Sequence, residues 1–168
     1  MTLPDRFAIL PRLTVAHCAG IAPVVPAPGP MEIDVGCGRG RFLLARAARY
    51  PAVSFLGIER QNGRLQGVAR RAEKAGLRNV RLLQIEASYV IEHLLPVSSA
   101  ACYYVCFPDP WPKRRHGVRR LFDGEFLASA WRTLVPGGHI HAATDDEAYF
   151  EQMVRSLGES RQFAETAP

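Results

Sequence analysis

A doubly wound α/β fold with a mainly parallel sheet is predicted by three features of the sequence. Five short apolar runs alternate with segments of helical pattern, the order that builds a parallel sheet with helices on both faces. The runs are nearly continuous in apolar residues, as expected of strands buried on both sides. Three glycines, Gly36, Gly38 and Gly40, stand between the first run and the first helical segment; sheets of this kind bind ligands at the carboxyl ends of their strands, near the point where strand order reverses.

Residues 1–30 are rich in proline and close with APVVPAPGP, so they are predicted to be an N-terminal arm or linker biased away from helix. Residues 31–168 are read as one domain, a length that can bury a sizeable core. The alternation runs MEIDV then RFLLARAARY, VSFLGI then RLQGVARRAEKAG, VRLLQI then SYVIEHLL, ACYYVCF then GEFLASAWRTL, and HIHAAT then DEAYFEQMVRSL. Gly76 is predicted to stop the second helix and Pro136-Gly137-Gly138 the fourth.

With 21 Lys and Arg against 16 Asp and Glu the chain carries a formal charge of +5, which favours an anionic partner. Its four cysteines, Cys18, Cys37, Cys102 and Cys106, form no CxxC pair. No metal site is expected from them, and a reducing cytoplasmic compartment fits. No run approaches the ~18 apolar residues of a membrane helix, so a soluble protein without a membrane partner is expected.

The first strand ends in IDVGCGRGRF. Glycines at such a junction let a ligand approach the backbone above a helix N-terminus. A dinucleotide fingerprint requires glycine or alanine at its sixth position, where this chain has Arg41, and the Gly-Lys-Ser/Thr of a nucleotide-triphosphate loop is absent. Asp34 precedes the loop, Glu59 closes the second strand run and Glu86 the third. Three carboxylates around one crevice would repel a pyrophosphate but suit a ligand with a cationic centre, an amino group and ribose hydroxyls. S-adenosylmethionine has those features. Gly36, Gly38 and Gly40 would form its floor, Glu59 would accept from the ribose hydroxyls, Asp34 would face the ammonium region, and Glu86 with the Ala87 backbone would meet the adenine edge.

Residues 106–120 read CFPDPWPKRRHGVRR, one acid between two prolines followed by a tryptophan and five Lys or Arg in eight positions. Together with the glycine loop, GIE at Gly57–Glu59 and ATD at Ala143–Asp145, this stretch resembles the tRNA (guanine-N7-)-methyltransferase family, of the class I, Rossmann-like methyltransferase fold. The resemblance implies methyl transfer from S-adenosylmethionine to a guanine N7 in tRNA, at the variable-loop guanosine 46. It places the family's cofactor-contacting acids on Asp34, Glu59 and Glu86, its key acid on Asp109, which would also face the cofactor, and its substrate contacts on Lys113 and Asp145. The basic segment matches the part of the family that meets tRNA: Arg114, Arg115, His116, Arg119 and Arg120. Two departures stand out: Glu86 replaces the family's Asp or Asn, and the Thr-x-x-Glu segment and final strands that follow the resembling region in the family are not matched by the closing residues RQFAETAP. The C-terminal antiparallel strands of the sheet are therefore expected to be absent.

Guanine N7 bears a lone pair and no proton, so Asp109 is not expected to act as a general base. It would position the base and stabilise the positive charge that moves onto the purine. Trp111 would either stack on a base or pack the loop onto the sheet, and Asp145 would either contact substrate or cap the following helix. The basic run would supply salt-dependent phosphate affinity, whereas Arg39, Arg41, Arg46, Arg49, Arg60, Arg64, Arg70 and Arg71 read mostly as surface charge. Two other readings compete, a catalytically silent RNA-binding homologue that retains cofactor binding and a small-molecule methyltransferase. The expected assembly is a monomer or a homodimer.

Overall fold

A computed structural model describes residues 29–111 and 120–166. The elements run β1 (Met31–Val35), α1 (Arg41–Arg49), β2 (Phe55–Ile58), α2 (Asn62–Lys74), β3 (Val80–Leu83), α3 (Ala87–Tyr89), β4 (Ala100–Cys106), α4 (Gly124–Thr133), β5 (Leu134–Ala143) and α5 (Glu147–Glu159). The five strands form one sheet in the order β3-β2-β1-β4-β5, and all four pairings are parallel. The expected doubly wound architecture is thus present, and among the described residues the sheet holds no antiparallel strand. Residues 1–28 of the expected arm lie outside the described residues. No helix among those described is long and apolar enough to cross a membrane.

The sheet separates two apolar layers. On one face Leu43 and Ala47 of α1 and Leu65, Val68, Ala69 and Ala72 of α2 pack on Phe55, Val80 and Leu82. On the other, Phe126, Leu127 and Ala130 of α4 and Tyr149 and Met153 of α5 pack on Met31, Ile33, Leu56, Ile58, Tyr103 and Val105. Assignment of alternate strand residues to opposite layers follows from the two-residue side-chain period. The buried hydroxyls are satisfied: Tyr103 and Thr133 share a hydrogen bond of 2.7 Å, and the Tyr149 hydroxyl accepts from the Phe122 N–H at 3.1 Å.

Several boundaries differ from the sequence-based expectation. Helix α2 does stop at the expected place, with Gly76 at φ +66° beyond its last turn. Pro136-Gly137-Gly138 does not end α4, which closes at Thr133 and passes directly into β5. The three residues instead occupy an irregularity where the register jumps from Ala100↔Leu134 to Cys102↔His139. Strand β3 ends at Leu83, opposite Ile58 at the end of β2; its partner runs out there, leaving Glu86 three residues beyond the sheet. The segment after α3 is a π turn over Val90–Leu94 and not a regular helix, with Leu95 N–H donating to the Val90 carbonyl at 3.0 Å.

Packing is tight under the glycine loop. A Cβ on Gly57 of β2 would lie 2.5 Å from Leu43, 3.0 Å from Leu82 and 3.1 Å from the Cys37 sulfur. Gly57→Ala is therefore expected to destabilise the fold by about 1–3 kcal/mol through overpacking, read as a lowered urea midpoint at unchanged m-value.

Candidate functional site

The carboxyl ends of all five strands lie along one edge of the sheet, with the order reversing between β1 and β4. At that switch point the loop after β1 is stitched to its neighbour: Cys37 N–H donates to the Ile58 carbonyl at 2.9 Å, and Gly40 N–H to the Cys37 carbonyl at 2.7 Å. Gly40 sits at φ +63°, and a Cβ there would be 2.7 Å from Val68, so this position brings α2 against the loop. Above Gly36 and Gly38, by contrast, a Cβ would meet nothing closer than 3.8 Å. That is open room over the loop, as a ligand lying on it requires.

Two of the three expected acids face this loop from below. Glu59, just past β2 and 7% exposed, accepts from Gly38 N–H at 3.1 Å and from Gln61 N–H at 2.8 Å, and Arg64 stands 3.6 Å away. One carboxylate thereby fixes the glycine loop and the start of α2, with acceptor capacity to spare for hydroxyl donors. Asp34 lies within β1, paired with Gly57 on one side and Tyr104 on the other. It is 5% exposed, and burial pushes its carboxyl up from the ordinary range to about 7. Burial, reinforced by Asp34 and Glu59, also drives the Cys37 thiol far above its usual range, so this cysteine is not a reactive thiolate. Glu86 differs from both. It is exposed, and its carboxylate pairs with the exposed Arg60 guanidinium at 3.2 Å, a pair worth little in water.

The loop after β4 is conformationally strained. Phe107 at φ +53° and Trp111 at φ +44° are left-handed non-glycine residues bracketing Pro108-Asp109-Pro110, each costing on the order of 1–3 kcal/mol. Phe107 N–H donates to the Ala143 carbonyl at 2.7 Å, which ties this loop to the end of β5. Asp109 is exposed at that end of the sheet. Trp111 lines a cleft of ≈ 450 Å³ with Arg60, Glu86, Ser88, Asp123 and Glu125 among others. Asp145 is exposed and does not cap α5, because its neighbour Asp146 does so, accepting from Tyr149 N–H at 2.7 Å. Ala87 is half-buried beside Glu86.

Of the expected RNA contacts, Lys113, Arg114, Arg115, His116 and Arg119 lie outside the described residues. Arg120 is described, and its guanidinium turns inward: Nε donates to the Pro110 carbonyl at 2.7 Å and a terminal nitrogen to Gln152 at 2.6 Å. No group of three or more His, Cys, Asp or Glu able to hold a metal ion occurs among the described residues.

One half-buried cluster beside the site was not anticipated. Arg46, read from the sequence as surface charge, makes a two-pronged contact with Glu32 at 2.8 and 3.0 Å, and the Tyr104 hydroxyl donates to the same carboxylate at 3.0 Å. The guanidinium carbon sits 4.9 Å from the rings of both Tyr50 and Tyr104. The available signal was the placement of Glu32 two residues before Asp34: both project to the α1 side of β1, and an acid on a sheet face covered by a helix needs a cationic partner.

This arrangement of loop, buried acids and strained acid-bearing loop can be set against known proteins. A family model described as "Putative methyltransferase" matches residues 28–168. The tRNA (guanine-N(7)-)-methyltransferase of Chlorobium phaeobacteroides is 39% identical, over 77% of this chain and 63% of its own length. The enzyme of the same name from Chromohalobacter salexigens is 34% identical, over 94% of this chain and 71% of its own. Among solved structures, the aminoglycoside resistance methyltransferase NpmB1 superposes with a TM-score of 0.60 at 27% identity, covering 93% of this chain and 74% of that one. The chain thus spans roughly two thirds of these relatives, 63% in the first case. Identity at this level across most of the chain, carried on a matching sheet and loop, means that the chain belongs to the tRNA (guanine-N7-)-methyltransferase family.

Proposed function

We propose that the chain transfers a methyl group from S-adenosylmethionine to N7 of a guanine in tRNA, at the variable-loop guanosine 46, as a cytoplasmic monomer or homodimer. The observation that carries this reading is the fixed Pro-Asp-Pro-Trp loop at the end of β4, next to a glycine loop with open room above two buried carboxylates. Those residues fit the cofactor by their chemistry. The desolvated Asp34 carboxyl gains from a cationic ligand, and Glu59, already oriented by two backbone N–H groups, presents further acceptor sites to ribose hydroxyls. When bound, S-adenosylmethionine supplies an activated methyl group on a sulfonium centre. Glu86 and the Ala87 backbone border the adenine end. Metal chemistry is not needed in this reading.

No proton has to leave N7, so the work of the chain is placement and charge stabilisation. Asp109 accepts from the amino edge of the guanine and faces the positive charge that develops on the ring. Holding the ring in line with the methyl group contributes ~7–11 kcal/mol in favourable cases, and the strained loop restricts Asp109 to few positions. Lys113 and Asp145 contact the substrate nucleotide, Trp111 stacks at the wall of the cleft, and Arg114, Arg115, His116 and Arg119 neutralise phosphates.

The direct test is formation of 7-methylguanosine by the purified chain on tRNA lacking it, located by nucleoside mapping. Label on a small molecule or protein alone would sink the reading, and cofactor binding with no turnover on any tRNA would support the silent RNA-binding homologue. Asp109→Ala is expected to abolish transfer while cofactor affinity stays within about threefold, because placement is lost and binding is not. Paired Arg114→Ala and Arg115→Ala changes are expected to flatten the dependence of tRNA binding on salt, by roughly one phosphate each. Cofactor affinity should itself depend on pH. With Asp34 titrating near 7 in the free protein, a cationic ligand must displace a proton below that pH. Calorimetry should show affinity falling by roughly tenfold per unit below pH 7, and Asp34→Asn should bind weakly at every pH. The same raised carboxyl costs the unliganded fold stability that is fully felt above pH 7 and vanishes below about 4, so Asp34→Asn should raise the melting temperature most at pH 8.

A further inference from the structure

The Pro-Asp-Pro loop is held from both ends. At its start, Phe107 N–H donates to the Ala143 carbonyl. At its end, Arg120 Nε donates to the Pro110 carbonyl at 2.7 Å, and the same guanidinium donates to Gln152 Oε1 of α5 at 2.6 Å. The guanidinium carbon lies 4.9 Å from the Tyr149 ring. That ring is fully buried, and its hydroxyl accepts from Phe122 N–H. Gln152 completes the seat by donating to the Phe122 carbonyl at 3.3 Å. Tyr149 and Gln152 are three residues apart on one helix and so present neighbouring side chains. Left-handed non-glycine backbone persists only where its surroundings over-determine it, and Arg120 meets the loop at Pro110, one residue before the strained Trp111.

We propose that Arg120 is a positioning residue for methyl transfer: it clamps the Pro110 carbonyl to α5 and so holds Asp109 in place, acting through the loop and not through an RNA phosphate. This rests on the methyltransferase reading above. The planar fork of arginine reaches Pro110 and Gln152 at once, whereas a lysine ammonium on a flexible stem satisfies one direction well and the other poorly. Gln152 carries no charge and belongs to α5. It contacts the Arg120 guanidinium and the Phe122 carbonyl and offers a phosphate nothing that a charge would, which makes it the discriminating partner.

The experiment compares Arg120→Ala, Arg120→Lys and Gln152→Leu with wild type, after circular dichroism confirms that each is folded. Steady-state kinetics on tRNA, cofactor titration and anisotropy of Trp111 emission are then recorded, the last in a Trp131→Phe background that leaves Trp111 as the single tryptophan. Arg120→Ala is expected to lower kcat by about 10- to 100-fold, with KM for tRNA and cofactor affinity within about threefold, since small misplacement of a positioned group acts on kcat. Gln152→Leu should shift kcat in the same direction by a smaller factor, Arg120→Lys should fall between, and Trp111 anisotropy should drop in step. A raised KM with intact kcat and a flattened salt dependence in Arg120→Ala, with Gln152→Leu silent, would make Arg120 a phosphate contact and overturn the proposal. Unchanged Trp111 anisotropy in Arg120→Ala would overturn it as well. If wild type itself methylates no tRNA, the functional reading fails while the anisotropy comparison still decides whether the clamp exists.

Discussion

One carboxylate organises the glycine-loop end of the molecule. Glu59 is buried, yet it receives the N–H of Gly38 from the glycine loop and the N–H of Gln61 at the threshold of α2. Burying a charge is costly unless it is hydrogen-bonded, and these two donors are backbone groups that lie outside any helix or strand. The same contacts therefore satisfy the acid, close the loop after β1 and start α2. Gly40 against Val68 and Gly57 against Leu43 then let helix and loop approach the sheet to the distance those hydrogen bonds need. Other features of the site are placed relative to this knot.

The acids along the strand ends divide by environment. Asp34 is desolvated and raised to about 7, so it is poised for a cation. Glu59 is hydrogen-bonded and structural as well as available. Asp109 and Asp145 stay exposed at the ends of β4 and β5, on strands linked through Phe107 and Ala143. Such a division suits the proposed methyl transfer, whose nucleophile carries no proton. Rate then comes from orientation and from tolerance of moving charge, and the structure invests strain in the loop that bears Asp109 more than in any acid–base pair.

Much of this was legible in the sequence, for identifiable reasons. Strand β1 is MEIDV to the residue, because its apolar positions and the glycine after it are local signals. The acids Asp34 and Glu59 could be placed at adjacent strand ends because strand-end position follows from the alternation alone. Glu86 was misjudged as a strand-end acid since β3 is cut short by the length of β2, a property of the partner and not of its own sequence. Pro136-Gly137-Gly138 read as a helix stop because those residues break helices, but the same backbone freedom serves a register jump inside β5. The inward turn of Arg120 and the pairing of Arg46 with Glu32 had no readable signature within the charge pattern: which guanidinium finds an internal acceptor depends on tertiary neighbours 10 to 32 residues away.

The central claim is that the knot at Glu59 pre-forms the cofactor site. Its most direct test is calorimetric titration of S-adenosylmethionine into wild type and Glu59→Gln, with circular dichroism of both. A glutamine keeps the size of the side chain but offers one carbonyl where the carboxylate offered two oxygens. The account predicts saturable one-site binding to wild type and a loss of at least about tenfold in the folded variant, since a charged acceptor and a loop anchor are removed together. Equal affinity in the two folded proteins would contradict it.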